Sequence, residues 1–378
     1  MPKISRTMIV ILLVTISVFP VLGVSAQGEE PQIRITQVDN SQFPQVTVYV
    51  SATNAAGEPV GIDPATIQIH ENGVLMTPEE VLGGGVQVGG EPIPVTTMLV
   101  IDISGSMEKN DKIGAAKNAA KAYVSQMRPG DQAGLITYDT SVYNVQAVTT
   151  DTAALTSSID GLKTGTDTAM YDALVEAEKA LASVPGRKAI IVLSDGLDNQ
   201  SRSTAEDVIA GVGQSGVTVS AIGFGDATTT DQTGLDEAVL KSLADRTGGA
   251  YGFATAPAAL QSLYEQQGRV LQSEYRFTYL SPSTLRDGVN RNLTVSLTTG
   301  AVPAVEGKYN PGGVLPEVSG RSSWTTFLII LLGLLALLFI PMLVNLGAKA
   351  FGGGMKGKPD TRSIGRSPQP AKGRIKIK

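Results

Sequence analysis

The chain has 378 residues, with 30 Lys and Arg against 35 Asp and Glu for a net charge of −5, one histidine and no cysteine. Those counts exclude disulfides, zinc–thiolate and iron–sulfur centres and a cysteine nucleophile, and any Ser-His-Asp triad would have to recruit His70. A single core rarely grows past ~250–300 residues, so two folded units with flanking segments are expected.

Residues 1–26 read as a secretory signal peptide. Lys3 and Arg6 precede an apolar stretch over 8–24, and Val24-Ser25-Ala26 supplies small residues before the polar Gln27-Gly28-Glu29-Glu30. Residues 30–92 then alternate and turn. Ile33, Ile35 and Gln37-Val38 suggest one strand, and Val46, Val48 and Val50 a second. Ile67-Gln68-Ile69-His70-Glu71 runs into Asn72-Gly73, the strongest short hairpin signal. This segment is expected to form the first part of a small β-sandwich, closed by a Gly- and Pro-rich linker over 83–92. A lone histidine beside that turn is expected to be structural.

From 95 the pattern changes to strand–helix alternation, the signature of an α/β fold with a doubly wound, mostly parallel sheet. The strands are short apolar runs at 98–101, 133–136, 189–193 and 217–222, as suits strands buried on both faces. Helices are expected at about 111–127, 152–162, 169–184, 204–214 and 235–247, with a last one from Pro257 to about 271. Two alternating strands follow, 275–279 and 293–297, with no helix between them. Residues 272–312 are therefore expected to complete the sandwich, leaving 95–271 as an inserted α/β domain.

From Ser322 to Ala348 no residue is charged, and Trp324 to Leu346 is mostly Leu, Ile and Phe. At ~1.5 Å per residue such a helix crosses a ~30 Å hydrocarbon layer, so 324–346 is expected to be one transmembrane helix. Residues 347–378 carry nine cations against Asp360 alone and read as a disordered basic tail. The positive-inside bias puts that tail in the cytoplasm and the body, net −16 over 27–320, outside a cell membrane. An acidic body argues against nucleic acid as a partner. Gly352 to Lys358 imitates a phosphate-binding loop, but Pro359 stands where Ser or Thr is required.

The residues that carry chemistry sit at strand ends, where an open α/β sheet forms its binding crevice. The first α/β strand finishes as Asp102-Ile103-Ser104-Gly105-Ser106, one carboxylate and two hydroxyls on one tight loop. Hard divalent cations take such oxygen shells, Mg²⁺ with ~6 ligands at about 2.1 Å. Thr164-Gly165-Thr166-Asp167-Thr168 places a hydroxyl-rich loop before another helix, and Ser194-Asp195-Gly196 ends a buried strand.

Asp-x-Ser-x-Ser, a later Thr, and Ser-Asp-Gly after an apolar strand resemble the metal-ion-dependent adhesion site of von Willebrand factor type A domains. The similarity continues through Ile222-Gly223-Phe224-Gly225 and Leu243 to Tyr251, and so covers about 95–270. It implies a Rossmann-like domain in which Ser104 and Ser106 bind the metal directly. Thr168 would bind directly or through water, and Asp102 and Asp195 would mostly hold metal-bound waters. Thr168 is preferred to Thr166 because the run from Thr168 to Leu174 follows the family's Thr-x-Leu-Tyr-Asp-Ala-Leu register; a slip would make Thr166 the substitute. The resemblance further implies Mg²⁺, with Mn²⁺ or Ca²⁺ as alternatives, and a protein partner supplying an acidic residue. The implied function is a membrane-anchored extracellular binding module and not an enzyme. The alternative is a scaffold subunit of a membrane or envelope assembly without metal-dependent capture. Asp172, one turn into a helix, is expected to be a structural or surface acid, and Asp198 and Asn199 are expected to shape a loop beside the site.

Overall fold

Apolar runs too continuous for a one-sided sheet find partners on both faces. The structure, a computed structural model, describes residues 31–84, 91–225, 236–299, 302–313 and 327–335. Six strands form the central sheet: β6 (Val95–Asp102), β7 (Gln132–Tyr138), β8 (Val142–Thr149), β9 (Arg187–Ser194), β10 (Thr218–Phe224) and β11 (Tyr251–Ala254). Their order is β11-β10-β9-β6-β7-β8, parallel throughout except for the antiparallel edge strand β8. Every residue of β6, β9 and β10 is buried. That explains why those three were legible as unbroken apolar runs. Strands β8 and β11 were not expected from the sequence. β8 exposes Tyr143 and Val145 beside Asn144 and Gln146, and β11 has only four residues.

Six helices follow the sequence periods closely: α1 (Lys112–Ser125), α2 (Thr152–Asp160), α3 (Met170–Leu181), α4 (Ala205–Ser215), α5 (Glu237–Arg246) and α6 (Pro257–Gln272). Their starts are set by local chemistry. Asp151 accepts from the N–H groups of Ala153 and Ala154 to begin α2, Thr204 and Asp207 form a reciprocal capping box on α4, and Pro257 opens α6. Helices α1, α2 and α6 pack one face of the sheet through Ala116, Ala119, Ala120, Leu155, Ile159, Leu260 and Tyr264. Helices α3, α4 and α5 cover the other through Leu174, Ala177, Leu181, Val208, Leu240 and Leu243. Small residues on α1 let its axis lie close to the sheet. Emptying a site such as Leu155 by truncation to Ala would cost about 2–5 kcal/mol.

The remaining strands make two four-stranded sheets. β1 (Gln32–Asp39), β2 (Gln45–Thr53), β12 (Tyr275–Leu280) and β5 (Glu80–Gly83) form one, in that order. β14 (Val305–Tyr309), β13 (Arg291–Leu297), β3 (Ile67–Glu71) and β4 (Val74–Leu75) form the other. The late strand β12 pairs with β2 through Phe277 and Val48, and β13 pairs with β3 through Val295 and Ile69. Early and late strands thus share both sheets, with the α/β segment between them in sequence. The turn from β3 to β4 places Asn72 and Gly73 at φ 49° and 81°, the left-handed pair that a two-residue hairpin requires. His70 lies half-buried on β3, opposite Thr294 and Leu75, with no part in the strand-end site described below.

Arg187 ties the two parts together. Its guanidinium donates to both oxygens of Glu274 at 2.5 and 2.8 Å, to Gln37 Oε1 at 3.0 Å and to Thr218 Oγ1 at 2.9 Å. One buried cation is thereby shared among β1, β9, β10 and the segment leading into β12.

The chain's second compact unit spans Val318–Lys378. Its described part is a helix over 327–335, exposed at every residue. Among the described residues no helix is long and apolar enough to cross a membrane. The remainder of the expected span 324–346 lies outside the described residues, as do the expected signal peptide 1–26, linker residues 85–90 and the basic tail 347–378.

Candidate metal centre

Strands β6 and β9 are neighbours in the sheet, so their carboxyl ends deliver Asp102 and Asp195 to the same rim. The chain turns immediately after Asp102. Its Oδ1 accepts from the Ser104 N–H at 2.8 Å, which folds the loop back on itself and turns both serines to the rim. Ser104 Oγ lies 2.9 Å from Ser106 Oγ, and Ser106 Oγ donates to Asp195 Oδ1 at 2.6 Å. A continuous run of oxygens therefore links the two strand ends. Asp102, Ser104 and Asp195 are buried, and Ser106 is partly open to solvent.

The third loop is stitched on through backbone. Gly165 N–H donates to Ile103 O at 2.6 Å, and Gly105 N–H donates to Thr166 O at 2.7 Å. A side chain at Gly165 would collide with Asp139, since a Cβ there would lie 1.9 Å from Asp139 Oδ2, so this close approach requires glycine. Thr168 is buried at the start of α3, and its Oγ1 would lie 3.9 Å from a Cβ at Gly196, which places it beside the Asp195 turn. Thr166 is exposed, and its Oγ1 lies 2.6 Å from Thr140 Oγ1 instead.

The three loops thus bring Asp102, Ser104, Ser106, Thr168 and Asp195 together. Asn199 accepts from the Thr168 N–H through Oδ1 at 3.0 Å, while Asn199 and Gln200 N–H groups return to Thr168 O at 3.0 and 3.1 Å. Asp198 accepts from the Tyr171 N–H and from Ser201, and Asp172 from the Arg202 and Ser203 N–H groups. These three residues shape the loops around the site.

Two further side chains hold the carboxylates of the site. Ser194 Oγ donates to Asp102 Oδ2 at 3.1 Å, so Asp102 is held at both oxygens. Lys112, the first residue of α1, donates to Asp195 Oδ2 at 2.6 Å. Ser194 was visible as the residue before Asp195. Nothing local marks Lys112, whose partner stands 83 positions away.

Burial pushes the Asp102 carboxyl up to about 6; its bonds from Ser104 and Ser194 pull the other way, and the nearby Asp195 charge adds to the rise. Among the described residues no three His, Cys, Asp or Glu side chains gather into a metal cluster. The donor set is instead two carboxylates and three hydroxyls, all oxygen. Such a set suits a hard divalent cation, and a desolvated carboxylate beside a second one is what a cation would relieve.

Residues 97–197 match the family model of the von Willebrand factor type A domain. A UPF0353 protein of Mycolicibacterium vanbaalenii is 30% identical over 177 residues, covering 40% of this chain and 53% of that protein. The chain thus spans about half the length of this curated relative. Among solved structures, the conserved hypothetical protein BatB from Bacteroides thetaiotaomicron is 19% identical at a TM-score of 0.40, covering 47% of this chain and 98% of that one. A von Willebrand factor type A protein from Catenulispora acidiphila is 14% identical at a TM-score of 0.43, with 76% of each chain covered.

Proposed function

We propose that the von Willebrand factor type A domain of this chain holds a divalent cation on Asp102, Ser104, Ser106, Thr168 and Asp195, and through it grips an acidic residue of a protein partner. Mg²⁺ is the first choice, with Mn²⁺ or Ca²⁺ as alternatives. The observation that carries the reading is the unbroken oxygen chain from Ser104 through Ser106 to Asp195 at the rim of two adjacent strands.

Each residue has a distinct task in this reading. Ser104 and Ser106 offer neutral oxygens that bind without cancelling charge. Asp102, fixed by Ser104 and Ser194, and Asp195, fixed by Ser106 and Lys112, supply the negative field that holds a cation in place. Thr168 closes the third side from the start of α3. A bound divalent cation supplies an electrophile that an outside carboxylate can join. The loops then orient that carboxylate by leaving the partly exposed Ser106 side of the rim open.

The proposed role is binding, not catalysis. The domain is placed outside a membrane, with 324–346 as the anchor and 347–378 inside, on the charge asymmetry and apolar run of the sequence. The test is capture of a protein ligand from the extracellular fraction on the immobilised chain. Capture is expected in Mg²⁺, to be reversed by EDTA and to be lost in Asp102→Ala with the circular dichroism spectrum retained. Capture that persists in excess EDTA would favour a scaffold without metal-dependent binding.

A further inference from the structure

Asp195 uses its two oxygens differently. Oδ1 belongs to the serine loop through Ser106, and Oδ2 belongs to Lys112 at 2.6 Å. The aspartate side chain is wholly buried and the lysine side chain only 18% exposed, so solvent screens this pair poorly. The backbone builds the contact deliberately. Asn110 and Asp111 both adopt φ 54°, a left-handed conformation uncommon outside glycine, and so start α1 with Lys112 turned toward the β9 end. A lysine here is a positive charge held against one of the site's two carboxylates.

Resting on the metal-binding reading above, we propose that Lys112 sets the charge of the centre: it loosens the hold on the cation and tightens the loaded centre's grip on an outside carboxylate. The count is simple. Asp102 and Asp195 bring two negative charges when ionised, and Lys112 reduces them to one. A divalent cation then leaves the centre with one net positive charge, which an incoming carboxylate neutralises. Without Lys112 the loaded centre is already neutral, and an arriving carboxylate makes it negative in a partly buried setting, which is unfavourable. The ammonium also competes for Asp195 Oδ2, so its removal frees that oxygen for the cation or a cation-bound water. Lys112 thus trades metal affinity for ligand affinity. It is a positioning and charge-setting residue that acts through Asp195.

The two effects have opposite signs, and that separates this role from a structural ion pair, whose loss would weaken both steps together. The test uses the full chain purified in detergent, with Mn²⁺ alone as the first probe and acetate on the Mn²⁺-loaded chain as the second. Titration calorimetry reads the metal, and water-proton relaxation of bound Mn²⁺ reads acetate. Lys112→Met keeps the side chain's length without its charge. It is expected to bind Mn²⁺ about tenfold more tightly, equivalent to ~1.4 kcal/mol, and acetate about tenfold more weakly. Lys112→Arg keeps the charge and is expected to stay within about twofold of the original on both readouts. Lys112→Gln replaces Lys112→Met if the latter fails to fold by circular dichroism. Neutral variants that leave both affinities within twofold, or shift both in one direction, overturn the proposal while the metal reading stands. An original chain that takes up no Mn²⁺ overturns the metal reading and this proposal with it.

Discussion

Asp102→Asn should make the metal-free protein more stable while removing its response to a divalent cation. The carboxyl is buried at the end of β6 and displaced from 3.8 to about 6, chiefly by desolvation. An acid whose pKa is higher folded than unfolded favours the folded state in its protonated form. Below the unfolded value it is protonated in both states and imposes no penalty. As pH rises through about 6, the folded state must ionise a buried group, and the penalty becomes complete. At ~1.4 kcal/mol per unit of displacement, the cost to the native protein at pH 7.5 is about 3 kcal/mol. Asparagine keeps an oxygen for the Ser104 N–H, now bonded at 2.8 Å, and presents an amide to Ser194 Oγ. Urea denaturation in EDTA is therefore expected to show a gain of about 2–3 kcal/mol at pH 7.5 that shrinks toward zero near pH 4. Added Mg²⁺ should narrow the gap by stabilising only the original chain. A variant less stable than the original at pH 7.5, or a gain that does not change with pH, refutes this reasoning.

Other outcomes follow from the packing. Glu274→Gln leaves Arg187, 1% exposed, without its buried counter-charge, and is expected to cost about 3–5 kcal/mol in urea denaturation; a loss under ~1 kcal/mol would contradict the ion pair's role in joining sandwich to α/β domain. Gly249→Ala would put a Cβ 2.0 Å from the Val219 carbonyl oxygen, backbone that cannot step aside, and is expected to lower stability by at least ~2 kcal/mol. Tyr309→Phe removes a hydroxyl that donates to the buried Glu71 at 3.0 Å and should cost about 1–3 kcal/mol, readable as a lower melting temperature.

What the sequence disclosed depends on how local each signal is. Strand β6 was legible because all eight of its residues are buried, which forces an apolar run. Asn72-Gly73 announced its hairpin because few other pairs reach the required φ values. Edge strands hide better. Tyr143 and Val145 of β8 face solvent, so no burial constraint wrote a pattern there, and β5 and β14 have one buried residue each, Gly83 and Tyr309. The site divides in the same way. The serine loop, the Thr168 loop and Asp195 each lie within a few residues of a strand end or helix start, so topology alone suggested that they meet. Lys112 carries no such mark, because its ion pair depends on the Asn110–Asp111 backbone and on how α1 sits against β9. The Arg187 junction is likewise tertiary, drawing on Gln37, Thr218 and Glu274 from three separate stretches.

Titration of the purified chain with Mg²⁺ at pH 7.5 tests the central claim most directly. A single saturable site is expected, with its heat abolished in Asp102→Asn and strongly reduced in Ser106→Ala. Absence of heat with Mg²⁺, Mn²⁺ and Ca²⁺ alike, or an isotherm that both variants reproduce unchanged, would contradict it.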